Sequence, residues 1–289
     1  MNSTTTPYDS MAPAASADAT TVIRCNTGFS NLELGAVWQF RELLYFLAWR
    51  DVKVRYKQTV IGAAWAILQP FMTMVVFAVV FGHFAKIPSD GVPYSVFTYT
   101  ALLPWTYFSQ AITRSGTSLV SDTNLIKKVY FPRLIIPLSA VASPLVDFFI
   151  SFFVLLGMIA WFRIPFGWGF LAVPFFLLLA VLTALAVGLW LSALNARYRD
   201  VGHTIPFLLQ FWMFASPVAY PLSVVPEKWR LLYGLNPMAG VIEGFRWALL
   251  TTERPAFRVM ALSTVVVLLL LVGGIVFFKR MERNLADVV

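Results

Sequence analysis

Four cations fall within the eight residues RDVKVRYK, beside an apolar stretch. Arg50, Lys53, Arg55 and Lys57 at that place suit attraction to anionic lipid headgroups, worth about 1 kcal/mol per cation near the surface. A second cluster is NLIKKVYFPR, residues 124–133. A short helix stopped by Pro132 would display Asn124, Leu125, Lys127, Lys128 and Arg133 together with Tyr130 and Phe131. A loop that merely carried charge would not need a Tyr-Phe pair in water, so this one predicts docking of a soluble partner. Two aromatic groups sit beside helix-breaking prolines: Trp105, Tyr107 and Phe108 after Pro104, then Phe211, Trp212, Phe214 and Tyr220 around Pro217. Aromatic faces stack on the C–H faces of sugar rings, so a path lined this way would let a glycan slide. Packing against lipid and interfacial belts is the competing use of the same residues.

Catalytic chemistry finds little support. His83 and His203 are expected near opposite membrane faces, and Asp122 and Asp147 are too few and too scattered to suggest a carboxylate pair. The sequence holds no HExxH and no GxxxxGK[ST] phosphate loop, so ATP and Mg²⁺ would be bound by another polypeptide and this chain is expected to bind no cofactor. Cys25 is the only cysteine, which excludes an intramolecular disulfide and gives no sign of a zinc site. Asp147 lies inside an apolar stretch, where a charge costs roughly 2.5 to 3.5 kcal/mol at the centre. Pairing with Arg114 on an adjacent helix is the expected use. Arg114 is also close enough to one face to snorkel.

The elements that would position these residues are membrane helices. Of 289 residues 59% are hydrophobic and 12% charged, a balance with too little polar surface for a soluble domain. The net charge of +8 does not point to nucleic acid, because the cations flank apolar stretches. Helical spans need about 20 apolar residues, and six are predicted: 60–84, 94–119, 134–162, 168–194, 204–220 and 259–278. The expected fold is all-α and integral to the membrane, with six transmembrane helices, an N-terminal amphipathic interface helix at 31–58, and re-entrant outer helices between spans five and six, within 221–255. The remaining organisation reads as a disordered cytoplasmic tail at 1–30 and a transmembrane domain at 59–289. Basic residues occupy every second connection: Arg41 to Lys57, then Lys127, Lys128 and Arg133, then Arg197 and Arg199, then Lys279, Arg280 and Arg283. That alternation predicts cytoplasmic termini.

Five ordered blocks carry a resemblance: WRDVKVRYKQTVIGAAWAILQP from Trp49, NLIKKVYFPR from Asn124, NARYRDV from Asn195, SPVAY from Ser216 and NPMAGVIEGFR from Asn236. The chain resembles a permease subunit of the ABC-2 type exporters, in the branch that moves lipid-linked polysaccharides such as O-antigen, capsule or teichoic acid. The resemblance runs from Phe40 to Arg283. It implies a homodimer in the bacterial inner (plasma) membrane, joined by two copies of a nucleotide-binding ATPase subunit, with residues 124–133 as the coupling helix. It also implies an undecaprenyl-pyrophosphate-linked cargo, for which Arg50, Lys53, Arg55 and Lys57 are the expected phosphate ligands. An ABC-2 exporter of a drug or other small amphiphile would share the architecture and stays open. A membrane transferase would need acids or histidines gathered at one face, and none are seen.

Overall fold

The structure, a computed structural model, describes residues 34–57, 62–252 and 256–285. The tail read over 1–30, with Cys25, lies outside the described residues, as do both chain ends. Among the described residues all regular structure is helical. In order come α1 (Leu34–Gln39), α2 (Arg41–Lys57), α3 (Gly62–Phe77), α4 (Tyr94–Ser121), α5 (Thr123–Lys128) and α6 (Ile135–Ala142). They are followed by α7 (Leu145–Trp161), α8 (Val173–Arg197), α9 (Val201–Ala215), α10 (Glu227–Tyr233), α11 (Pro237–Leu250) and α12 (Phe257–Leu285). A π-helical stretch, Ala78–Phe84, extends α3, and a 3-10 turn, Trp168–Ala172, leads into α8.

Four stretches are long and apolar enough to cross a hydrocarbon layer: Ala64–Phe84, Ile135–Trp161, Trp168–Arg197 and Phe257–Glu282. These correspond to the predicted spans one, three, four and six. α4 is long enough, at about 42 Å, but its serines, threonines and tyrosines dilute its hydropathy. It is instead enclosed by protein, packed on α3, α6, α7, α8, α9 and α11. There Thr100 Oγ1 and Ser118 Oγ bond back to the carbonyls of Val96 and Ser115, at 2.8 and 2.7 Å, so these two hydroxyls are satisfied within the helix. α9 is only about 22 Å long against a hydrocarbon thickness of about 30 Å. Its predicted reach to residue 220 is cut at Ser216, where the backbone turns extended.

Prolines shape the remaining departures from expectation. The third stretch is broken between α6 and α7 at Ser143–Pro144, because Pro144 has no N–H for the carbonyl of Ala140. Ser143 Oγ donates to that carbonyl at 3.4 Å. In α3, Pro70 likewise leaves the Ala66 carbonyl without a helical donor, and Ser151 Oγ of α7 supplies one at 2.8 Å. The interface helix predicted as one piece is two, α1 and α2, parted at Phe40. Nor is α2 apolar on one side only. Leu47 and Val52 are buried while Tyr45, Phe46, Trp49 and Val54 are exposed, as suits a helix with protein behind it and an apolar medium in front.

The segment after α9 forms α10 and α11, separated at Gly234 to Asn236 as the Asn-Pro pair suggests. Asn236 caps α11, its side chain accepting from the amide of Met238 at 3.1 Å, with Pro237 at the first helical position. α11 is nearly all buried, between α4, α8 and α12. The cytoplasm-assigned connections share one end of the bundle. There Leu47, Leu119, Phe131, Phe278 and Met281, from α2, α4, the loop after α5 and α12, form one apolar cluster. At the other end Ser223 Oγ donates to Asp90 at 2.9 Å, and the Tyr94 hydroxyl to the carbonyl of Ala219.

Candidate functional site

The basic end of α2 meets two carboxylates. Arg50 Nη2 lies 2.9 Å from Asp51 and 3.1 Å from Asp122, the residue between α4 and α5. Burial opposes the Arg50 charge, but the hydrogen bond to Asp51 and the charge of Asp122 outweigh it and hold its pKa above the ordinary value. Arg55 Nη1 pairs with Asp147 near the start of α7, and the Tyr56 hydroxyl donates to the same carboxylate. Arg55 also donates to Gln110 Oε1 of α4 at 3.3 Å. The pairing of Asp147 with Arg114 expected from the sequence is therefore not formed. Arg114 reaches Ser143 Oγ at 3.4 Å, at the α6–α7 break, because α2 brings its own cation to the carboxylate first. A small recess between α3, α4 and α7, lined by Pro70, Thr106, Tyr107, Gln110 and Ser151, flanks Asp147.

Lys53 and Lys57 are exposed. Lys53 sits over the Trp49 ring, 5.8 Å from its centroid, and Trp49 stacks with Tyr45. Arg41, Tyr45, Trp49, Lys53 and Lys57 recur every four residues, and all are exposed, so they form one outward row of cations and aromatics.

The loop from Asn124 to Arg133 is divided by burial. Asn124, Lys127, Lys128 and Val129 are exposed and Tyr130 is 86% exposed, whereas Phe131 is 6% exposed. Phe131, with Leu125 and Ile126, anchors α5 to the apolar cluster of the basic end. Arg133 Nη1 donates to the carbonyl of Glu282 at 3.1 Å, fixing the loop to the end of α12. The exposed face of this loop is thus Asn124, Lys127, Lys128, Val129 and Tyr130.

The aromatics separate in the same way. Trp105, Tyr107 and Phe108 are buried in the main core, with Tyr107 donating to the Val141 carbonyl at 3.2 Å. Phe211 and Phe214 are exposed on α9, beside Phe207. Trp212 and Tyr220 are half-buried: Trp212 packs edge-on against Phe108 and donates to Asn236, and Tyr220 bonds the Tyr233 hydroxyl. Of these seven aromatics, only Phe211 and Phe214 are exposed.

Two residues had not been singled out for a role. Arg246, 1% exposed, binds the carbonyls of Val218 and Tyr220 at 2.8 and 3.2 Å and Glu243 at 3.0 Å, and it lies 3.7 Å over the Phe97 ring. It thereby satisfies the non-helical backbone of SPVAY, which lipid could not. Asn195 of NARYRDV donates to the Gly116 carbonyl and accepts from the Gly202 amide, at 3.0 and 2.8 Å, joining α4, α8 and α9. Their signal in the sequence was a polar residue inside an apolar segment.

Residues 42–250 match the ABC-2 type transporter family. The chain is 33% identical to the O-antigen export system permease protein RfbA of Myxococcus xanthus, over 86% of this chain and 95% of that protein. It is 25% identical to the permease protein of the same name from Klebsiella pneumoniae, over 86% and 95% of the two chains. With the polysialic acid transport protein KpsM of Escherichia coli it shares 23% identity over 81% and 91%. The matched region takes in nearly all of α2, both carboxylates that tie it to the bundle, the α5 loop and the buried α11, so the resemblance carried by the five blocks holds, and the chain belongs to the ABC-2 type transporter family.

Proposed function

We propose that this chain is the permease subunit of an ATP-driven exporter that carries a polysaccharide, linked to undecaprenyl pyrophosphate, across the bacterial inner (plasma) membrane. The observation that carries the reading is the similarity, over nearly their full length, to permeases named for O-antigen and polysialic acid systems. In this reading α4 and α9 complete six spans, and α10 and α11 dip into the outer leaflet without crossing it. Both termini are cytoplasmic.

Two permeases and two ATPase subunits make the working unit. The exposed face of Asn124, Lys127, Lys128 and Tyr130 docks on the ATPase, whose closure on ATP moves α5. Nucleotide can drive the cycle only if the open and closed arrangements of the permeases differ in how well the ATP-bound subunits hold them. Phe211 and Phe214 on α9 face the glycan, stacking on sugar without binding any one register. The exposed basic face of α2 collects the pyrophosphate at the cytoplasmic leaflet.

The test is ATP turnover by the permease reconstituted with its ATPase. Stimulation by a lipid-linked glycan, with no response to hydrophobic drugs, is the expected outcome. Stimulation by drugs alone would sink the reading and favour a small-amphiphile exporter.

A further inference from the structure

The geometry assigns different tasks to the four cations of α2: Arg50 and Arg55 are positioning residues that hold the helix to the bundle through Asp122 and Asp147, and Lys53 and Lys57 are the residues presented to an anionic headgroup. This rests on the headgroup reading above and changes which residues carry it.

Each half stands on separate contacts. Arg50 Nη2 reaches both oxygens of Asp122, at 3.1 and 3.3 Å, across 72 residues of chain. Asp122 precedes α5 directly, so this bond joins α2 to the corner that carries the docking surface. Five residues further along α2, Arg55 and Tyr56 both meet Asp147, just past the α6–α7 break. The two ties lie about 7.5 Å apart along the helix axis. A guanidinium engaged by a carboxylate must give up that partner to take a phosphate, and its fork geometry makes the carboxylate bond a strong competitor. Lys53 and Lys57 stand in the exposed row with Tyr45 and Trp49. Neither ammonium is held in an ion pair among the described residues, so it can meet a phosphate without giving one up there, while the neighbouring rings offer apolar faces to a sugar or an acyl chain. A displacement of α5 would travel through Asp122 and Arg50 into α2, and through Asp147 to α7.

Charge exchange separates the tasks. Arg50→Asp and Asp122→Arg are each expected to lower export at least fivefold, and the double substitution to restore most of it, because the tie is re-formed with its polarity reversed. Binding of undecaprenyl diphosphate to the purified full chain in mixed micelles is the second readout. There Lys53→Gln with Lys57→Gln should weaken binding severalfold, while Arg50→Gln leaves it unchanged. The assignment is overturned if the exchanged pair, present in the membrane at normal level, exports no better than the single variants. It is equally overturned if Arg50→Gln weakens lipid binding as much as the lysine pair does. Should no variant alter lipid binding while exchange still restores export, the headgroup role fails for the lysines and the tie alone survives, so the two failures are told apart.

Discussion

Adjacent side chains in the α5 loop have opposite surroundings, and their substitutions should part company. Phe131 is enclosed by Leu47, Leu119, Phe278 and Met281, and Phe131→Ala is expected to destabilise the fold by about 3 kcal/mol, near the low end for a buried ring. Tyr130→Ala removes an exposed ring and should leave the melting temperature in detergent within a degree or two, a change of about 0.5 kcal/mol or less. Retention of the ATPase on an immobilised permease should show the reverse order of effect: Tyr130→Ala loses the partner at full stability. Sequence alone marked both aromatics as candidates. It could not say which one faced in, because that depends on where α12 ends, some 150 residues later. The carboxylate partners of Arg50 and Arg55 were hidden for the same reason. Asp122 was visible as an acid and Arg114 as a cation, but nothing in their types or spacing tells which opposite charge α2 brings within reach.

At the scale of elements, a carbonyl released by a proline in one helix is served by a donor on its neighbour. Pro70 and Ser151 are the pair, the hydroxyl of α7 serving the carbonyl that the proline of α3 has released. Ser151→Ala should cost about 1 to 3 kcal/mol, as expected for a buried carbonyl left without a donor. In a Pro70→Ala background, where the helix regains its own N–H, the same substitution should cost much less. Thermal unfolding of the four proteins in one detergent closes that cycle, and additive costs would refute the link. Continuous apolar stretches made the first, fourth and sixth spans legible, and the Asn-Pro pair marked the start of α11. The break at Pro144 was signalled by its proline, though its depth was not. α4 shows the limit of hydropathy: its hydroxyls make it less apolar than its neighbours because protein, not lipid, surrounds it. α2 shows the limit of periodicity, since aromatic residues on its outward side blur the division that a one-sided helix would display.

For the whole molecule, the arrangement of cations is a statement about sidedness. α2, α5 and the ends of α4 and α12 share one cluster, and the loops bearing Asp90 and Ser223 meet at the other end. With Cys25→Ser as background, Lys127→Cys should react with an impermeant maleimide in inverted vesicles but not in intact spheroplasts. Lys228→Cys should do the opposite. Identical labelling of both from the outside would exclude the topology. The burial of α11 bears on how the polypeptide is made. Two of the walls around it, α4 and α8, leave the ribosome earlier, but the third, α12, emerges afterwards. Until that final segment arrives, a helix too short to cross a bilayer, with Glu243 and Arg246 within it, is left partly uncovered. A nascent chain halted before residue 257 would thus hold α11 with one of its three walls missing, and the order of synthesis makes α12 the element that completes its enclosure.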